Sequence, residues 1–447
     1  MQARKFPPVA FWEQCRQTID RTTILRRRGR VVRGIGLGLE ASGLVTAVGE
    51  LCRLRRLDGS ELLAETVGFR EERAILMPLG DLAGVGPGCL VEPVGRPFTV
   101  AVGPELSGRI LDGLGRSLDG KGPISSQAFY PVWAQPPTPL ERPRITRPLS
   151  LGIRAIDGLL TCGRGQRMGI FSGSGVGKST LLGMVARYTD ADRIVIGMVG
   201  ERGREVRGFL EQDLGEGLSR AVVVVATSDQ PAMVRIKAAL VATAIAEYFR
   251  DQGEDVLLLM DSLTRFAMAQ REVALAAGEP PATRGYPPSV FGILPRLLER
   301  AGTSAKGSIT GFYTVLVEGD DLLEPITDTV RGILDGQIVL SRNLAAEGLF
   351  PAIDILESIS RLMSEIVSDG QWNLTQKARE VLITYREAED LLHVGAYVPG
   401  TSPRIDYACA KIAQVKDYLR QDRGERTGVQ EAKLALEAIF GTGGAAG

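Results

Sequence analysis

Apolar residues follow three successive patterns along this chain, and each predicts a different architecture. Between residues 30 and 100, short alternating stretches (Ile35, Leu37, Leu39; then Leu44, Val45, Val48) are broken by Gly and Pro at close intervals. That spacing predicts a small, tight β-barrel or sandwich. From 150 to 345 the apolar runs become continuous: Ile194–Val199, Val222–Val225, Val256–Met260 and Thr314–Val317 alternate with helical segments. A strand that is apolar at every position is buried on both faces, so this stretch predicts a parallel α/β core. Beyond residue 360 the pattern turns amphipathic and helical, as in Gln376–Leu382 and Ala410–Val415. The proline-rich stretch Pro131–Pro148 reads as an extended connection rather than a packed element. Gly34-Ile35-Gly36-Leu37-Gly38 superficially invites a dinucleotide-binding reading. The third glycine of that fingerprint would fall on Leu39, however, so the segment reads as a strand with one bare face.

Composition narrows the class. The chain has 447 residues, 44% of them apolar, with 53 basic and 53 acidic side chains. That balance describes a soluble globular protein and offers no whole-chain attraction to nucleic acid. No apolar run approaches a membrane span, and the N-terminus has no signal-peptide core. Cys15, Cys52, Cys89, Cys162 and Cys409 are scattered and never in CxxC spacing, as expected of reduced thiols in a cytosolic protein. His393 is the sole histidine, which removes histidine-based triads and His-rich metal sites. Residues 1–33 carry nine basic side chains against Glu13 and Asp20. They read either as a solvated tail or as a docking segment for an acidic partner or anionic surface.

The most specific chemistry lies in Gly173-Ser174-Gly175-Val176-Gly177-Lys178-Ser179-Thr180. This glycine-rich turn follows an apolar strand (Met168–Phe171) and opens a helix-forming run from Leu181, the setting a P-loop requires. Glycines let backbone N–H groups turn inward around phosphate oxygens, and the helix N-terminus adds partial positive charge. Lys178 is expected to reach the β- and γ-phosphates of ATP, and the Ser179 hydroxyl to ligate Mg²⁺. The strict motif has Gly where this chain has Ser172. Ligands of parallel α/β folds sit beyond the C-terminal ends of the strands. There Asp261 ends one apolar run as a candidate Mg²⁺ acid, acting partly through water, and Gly200-Glu201-Arg202 ends another. Glu201 could polarise an attacking water and Arg202 could contact the γ-phosphate. By sequence alone such a charged turn is more often a solvated loop, whereas for a strand-end Asp beside a P-loop the helix-cap reading is the minor one.

Four longer stretches carry a family resemblance: Gly200–Arg207, Asp261–Ala267, Arg284–Phe291 and Val317–Asp321. Together they resemble the flagellar and type III protein-export ATPases, relatives of the catalytic subunits of rotary ATP synthases. The likeness runs from about Arg30 to the C-terminal helices. Gly173–Ser179, Met77–Gly80 and Arg284–Phe291 look closest to the flagellar branch. The resemblance implies an α/β, RecA-like P-loop NTPase core (101–365) with an N-terminal small β-barrel (28–100) and a C-terminal helical domain (366–447). Ahead of these stands a partner and oligomerisation segment (1–27).

It further implies roles for individual residues. Lys178 and Ser179 bind phosphates and Mg²⁺, Glu201 activates water beside Arg202, and Asp261 serves the metal. Arg361 matches an arginine finger that enters a neighbouring subunit's site, and Phe350 and Tyr397 flank adenine. Because one chain supplies both Glu201 and Arg361, identical chains in a ring would complete every site, hence a homohexamer. Implied partners are a regulator subunit at the N-terminal segment, a coiled-coil stalk, export chaperones and substrates, and export-gate membrane proteins. The implied location is the cytoplasmic face of the inner membrane. Alternatives are the ATPase of a virulence secretion apparatus, an RNA translocase resembling transcription termination factor, and a non-catalytic nucleotide-binding regulator. The RNA reading lacks aromatic platforms, since residues 34–100 hold only Phe69 and Phe98; no nucleic-acid partner is expected. The regulator reading is weakened by the presence of Glu201.

Overall fold

The computed structural model describes residues 28–126, 128–317, 321 and 323–441, together with Trp12 and Arg16. The expectations placed on segment 1–27 therefore fall almost wholly outside the described residues. The chain forms two compact units, one up to Phe98 and one from Thr99 onward.

The first unit is a closed antiparallel barrel of six strands. Their order around the barrel is Gly29–Ile35, Gly38–Ser42, Arg73–Pro78, Glu61–Arg70, Glu50–Arg55 and Leu90–Pro97. Alternate residues point inward, and Val31, Leu39, Cys52, Leu54, Leu76 and Val91 fill the interior. The Gly34–Gly38 segment is not the single bare strand expected from its glycines. It is a hairpin in which Ile35 pairs with Gly38 across the two-residue turn Gly36-Leu37. Gly36 takes φ +56°, the left-handed geometry that tight hairpin turns demand and that glycine adopts without a Cβ penalty.

The second unit is built on a nine-stranded sheet. The strands run in the order Ile353–Ser360, Gly336–Leu340, Arg167–Ser172, Ser308–Leu316, Asp255–Asp261, Arg193–Val199, Ala221–Ala226, Ile110–Asp112; Gly302–Thr303 pairs antiparallel with Ser308–Leu316. From Gly336–Leu340 across to Ile110–Asp112 the pairing is parallel, whereas Ile353–Ser360 runs antiparallel on the edge. The apolar runs read as doubly buried strands are so: Ala221–Ala226 and Val256–Asp261 are buried at every position.

Three helices close the chain, Asp369–His393, Pro403–Leu419 and Val429–Phe440. Their apolar faces (Ala378, Val381, Val415, Leu436) join the same buried cluster as Leu181, Leu182 and Val185 of the helix after the glycine-rich turn. Residues after Pro131 run extended, and they are pinned in place. Arg142 donates Nη1–H to the Ala301 carbonyl at 2.9 Å, and the Thr303 hydroxyl bonds the Pro143 carbonyl at 2.8 Å. Among the described cysteines, Cys52, Cys89, Cys162 and Cys409 are free thiols.

The strap begins over a wholly buried ion pair. Arg300 (0% exposed) places Nε and Nη2 on the Glu247 carboxylate (3% exposed) at 2.8 and 2.6 Å, and Nη1 on the Val132 carbonyl at 2.7 Å. Removing one member of such a pair strands its partner's charge in a dry interior. Arg300→Ala is therefore expected to cost about 3–5 kcal/mol, whereas Arg300→Met combined with Glu247→Leu costs much less. Urea midpoints of the two variants check this.

Candidate active site

The central strand Arg167–Ser172 delivers the chain into the turn 173–177, and the helix Lys178–Tyr188 starts directly after it. Gly175 and Gly177 hold φ +81° and +92°, conformations other residues adopt only under strain. The Arg342 guanidinium packs over Gly173, 2.5 Å from where a Cβ would stand, so a larger residue there would have to displace that side chain. Val176 is buried and anchors the turn, while Ser174, Gly175 and Ser179 face outward. No side chain caps the helix N-terminus, which leaves its N–H groups directed at the turn.

Three charged side chains from three strand ends converge beside this turn. Lys178 Nζ lies 2.5 Å from Asp261 Oδ1 and 3.6 Å from Glu201 Oε1. The Thr314 hydroxyl donates to the same Asp261 oxygen at 2.6 Å. Burial works against the charge on Lys178, but the attraction of Asp261 and then Glu201 outweighs it and holds the ammonium above its ordinary range. Glu201 is 6% exposed and its Oε1 has no hydrogen-bond donor. Burial, helped by repulsion from Asp261 and opposed by Lys178 and Arg265, pushes its carboxyl up to about 7. A carboxylate whose oxygen faces Lys178 without a hydrogen bond, half ionised near neutrality, has the properties of a general base.

The donor set suits a nucleotide and a hard cation. Ser179 and Asp261 offer oxygen ligands, Lys178 and the turn's N–H groups suit phosphate, and the orphaned atoms Glu201 Oε1 and Arg265 Nε await partners. Among the described residues no cluster of three or more Asp, Glu, His or Cys could hold a metal alone. That matches Mg²⁺, which typically uses one or two protein ligands together with substrate phosphates and water.

The residues singled out from sequence divide into those the fold gathers and those it keeps apart. Gly173–Thr180, Glu201 and Asp261 converge. Arg202 does not: its side chain is 74% exposed and pairs with Glu205 at 3.5 Å. It directly precedes the helix Gly203–Gly208, so the chain turns outward there. Arg265 stands in its place, one turn into the helix that Ser262 caps and packed so closely on Gly200 that a Cβ there would lie 2.9 Å from its own.

Phe350 stands beside the glycine-rich turn, with its ring 3.7 Å from the position of a Cβ on Gly177. It lines a cavity of about 480 Å³ together with Thr180 and Met184 of the helix and Gln421, Asp422 and Arg423 of the C-terminal helical region. Tyr397 does not line this cavity. Its hydroxyl sits between Asp406 Oδ1 (2.9 Å) and the Ser402 carbonyl (3.0 Å), where it closes the turn between two helices. The wall assigned to Tyr397 is formed instead by Gln421–Arg423, a polar loop with no aromatic signal in the sequence.

Arg361 lies at the opposite edge of the sheet. Ile353 pairs with Leu340, level with Ser172 at the glycine-rich turn, while Ser360 pairs with Gly336 at the far end. The bulge in that pairing sets seven residue steps of the edge strand against four of Gly336–Leu340, so at ~3.3 Å per residue Ser360, just before Arg361, stands about 13 Å along the sheet from the level of the turn. Its N–H bonds the Asp335 carbonyl at 3.0 Å and its exposed guanidinium reaches the Arg331 carbonyl at 3.3 Å.

Fold and site together define a P-loop nucleotide hydrolase. Residues 152–360 match the nucleotide-binding domain of the ATP synthase alpha/beta family, and residues 31–95 match its beta-barrel domain. Residues 367–438 match the C-terminal domain of the type III secretion ATPase EscN. A flagellum-specific ATP synthase of Bacillus subtilis is 53% identical over 95% of this chain and 97% of its own. A type 3 secretion system ATPase of Xanthomonas euvesicatoria is also 53% identical, over 93% and 94%. The solved structure of the assembled ATPase EscN from enteropathogenic E. coli superposes with a TM-score of 0.87 at 44% identity, covering 92% of this chain and 99% of that one. The chain belongs to the flagellar and type III secretion ATPases and is an ATP-hydrolysing enzyme. No helix among the described residues is long and apolar enough to cross a membrane.

The position of Glu201 has a measurable consequence for stability. Its carboxyl ionises near 4.5 when unfolded and near 7 when folded. The unfolded state therefore releases the proton first, and stability falls as pH rises from 4.5 to 7, by up to about 3 kcal/mol. Glu201→Gln removes this loss. The variant is expected to melt above the wild type at pH 8, with the difference shrinking toward pH 4.5, as thermal unfolding at several pH values will register.

Proposed function

We propose that this chain is the Mg²⁺-dependent ATPase that energises flagellar type III protein export, working as a homohexameric ring. The observation that carries the ring is the division of the site within one chain. Glu201, Lys178 and Asp261 cluster at the C-terminal edge of the sheet, while Arg361 stands at the other edge. Arg361 cannot reach its own glycine-rich turn, so it serves a neighbour's.

In the assembled site the Gly173–Thr180 turn holds the triphosphate, with Lys178 leaving its carboxylate partners for the β- and γ-phosphates. Ser179 and Asp261 would hold Mg²⁺, which would supply positive charge to the triphosphate. Glu201 accepts a proton from water as the water oxygen attacks the γ-phosphorus, and the bond to the bridging oxygen of ADP breaks. Arg265, Arg202 once its loop closes, and the neighbour's Arg361 spread the charge of the transferring phosphoryl group. Such groups act by positioning and charge stabilisation, and a finger in trans contributes about 10³–10⁵ in turnover.

EscN has been solved assembled and in complex with its central stalk EscO. By analogy the C-terminal helices 366–447 meet a coiled-coil stalk, chaperones and export substrates. The segment 1–27 binds a regulator subunit, and the ring works beside export-gate proteins at the cytoplasmic face of the inner membrane. A virulence secretion ATPase is the second reading, favoured by the equal 53% identity to the Xanthomonas enzyme. Affinity purification of the Glu201→Gln chain with Mg²⁺ and ATP separates the two: rod, hook or filament proteins mark the flagellar branch, and secreted effectors the other.

Glu201→Gln is expected to retain nucleotide binding while turnover falls by about 10²–10⁴; wild-type turnover would sink the role given to Glu201. Arg361→Ala should be similarly inactive with its fold intact by circular dichroism. Mixing the two inactive chains should restore activity, because an interface between them can combine an intact Glu201 with an intact Arg361. No recovery on mixing would mean that Arg361 does not act across subunits.

A further inference from the structure

Gln421 sits in the loop between the helices Pro403–Leu419 and Val429–Phe440 and is 4% exposed. Its side chain is committed within the protein. Oε1 accepts the Arg154 N–H at 2.7 Å, and Nε2 donates to the carbonyls of Gly152 (2.8 Å) and Glu425 (2.9 Å). Its backbone N–H donates to the Phe350 carbonyl at 2.9 Å. One residue thus joins three segments far apart in sequence: the approach to the core strand, the loop that carries Phe350, and the C-terminal helical region.

The next two residues, Asp422 and Arg423, line the cavity of about 480 Å³ that Phe350 also lines. The Arg423 carbonyl is moored to the helix after the glycine-rich turn by Arg187 Nη2 and the Tyr188 hydroxyl, both at 2.8 Å. This cavity adjoins Gly177 and Thr180, but Lys178, Glu201 and Asp261 do not line it. It therefore meets the part of a nucleotide remote from the reacting phosphates.

We infer that Gln421 is a positioning residue for the nucleotide base: it holds the Asp422–Arg423 backbone at the separation from Phe350 that a planar ring system needs. This rests on the reading of Gly173–Thr180 as the triphosphate cradle. Gln421 borders the cavity itself, but its amide has its three side-chain hydrogen bonds spent on main-chain groups and so acts by holding the loop rather than by bonding the base. Loss of the amide leaves the loop held only by its backbone bond to Phe350 and by the two bonds on the Arg423 carbonyl, which loosens its spacing from Phe350 while Lys178 and the glycine-rich turn stay in place.

Steady-state hydrolysis by the full-length chain tests this, with tripolyphosphate as a base-free competitor. In Gln421→Ala, KM for ATP is expected to rise about tenfold while kcat stays within about twofold, the signature of lost ground-state binding. The inhibition constant of tripolyphosphate should not change, because its site is the cradle alone. Should the alanine variant fail to fold, Gln421→Met keeps the side-chain volume without its hydrogen bonds and carries the same test. An unchanged KM for ATP, or equal weakening of ATP and tripolyphosphate, would overturn the inference. Tripolyphosphate that does not compete with ATP in the wild-type chain would instead overturn the cradle reading on which it stands.

Discussion

One ammonium group shared between two buried carboxylates organises the centre of this molecule. Lys178 lies against Asp261 and within reach of Glu201, all three nearly excluded from water. If both acids were ionised, the trio would carry an excess negative charge in a low-dielectric site. The protein resolves this by raising Glu201 toward neutrality and fixing Asp261 with a hydroxyl from Thr314. A bound cation resolves it differently, by supplying the missing positive charge. The same imbalance costs stability near neutrality, where the raised Glu201 carboxyl begins to ionise.

The parallel sheet makes this convergence possible. Strands that run the same way end on the same edge, so Ser172, Val199 and Asp261 bring their following residues to one place although they are far apart in sequence. The one edge strand that runs the other way carries Arg361 away from that place. Strand direction therefore places Arg361 and the cluster of Lys178, Glu201 and Asp261 at different ends of the sheet. On the C-terminal side, the helical region shares its core with the helix that follows the glycine-rich turn.

The phosphate-binding turn was legible because its requirements are local. Positive φ at Gly175 and Gly177, and the adjacent Lys178 and Ser179 that open the helix, depend only on neighbouring residues. The doubly buried strands were legible for the same reason, since burial on both faces leaves no polar position within the run. The Gly34–Gly38 hairpin was misread because glycine spacing does not distinguish a bare strand from a two-residue turn; pairing across the turn does. Tyr397 was misplaced because an aromatic near the right place in sequence can spend its hydroxyl locally, here on Asp406. Arg202 sits beside Glu201 in sequence, yet the start of a helix sends the two side chains apart.

Sequence alone determined the P-loop, the order of barrel, α/β core and helical segment, and the acids at the strand ends. Each follows from short-range periodicity or from motif chemistry. Tertiary structure decided which positive charges stand near Glu201, how far Arg361 lies from its own turn, and that Gln421–Arg423 rather than Tyr397 walls the cavity beside Phe350. Those facts depend on contacts between residues tens to hundreds of positions apart. The hydrogen bond between Gln421 and Arg154 spans 267 positions, and no local pattern encodes a meeting that only the packing of the complete chain brings about.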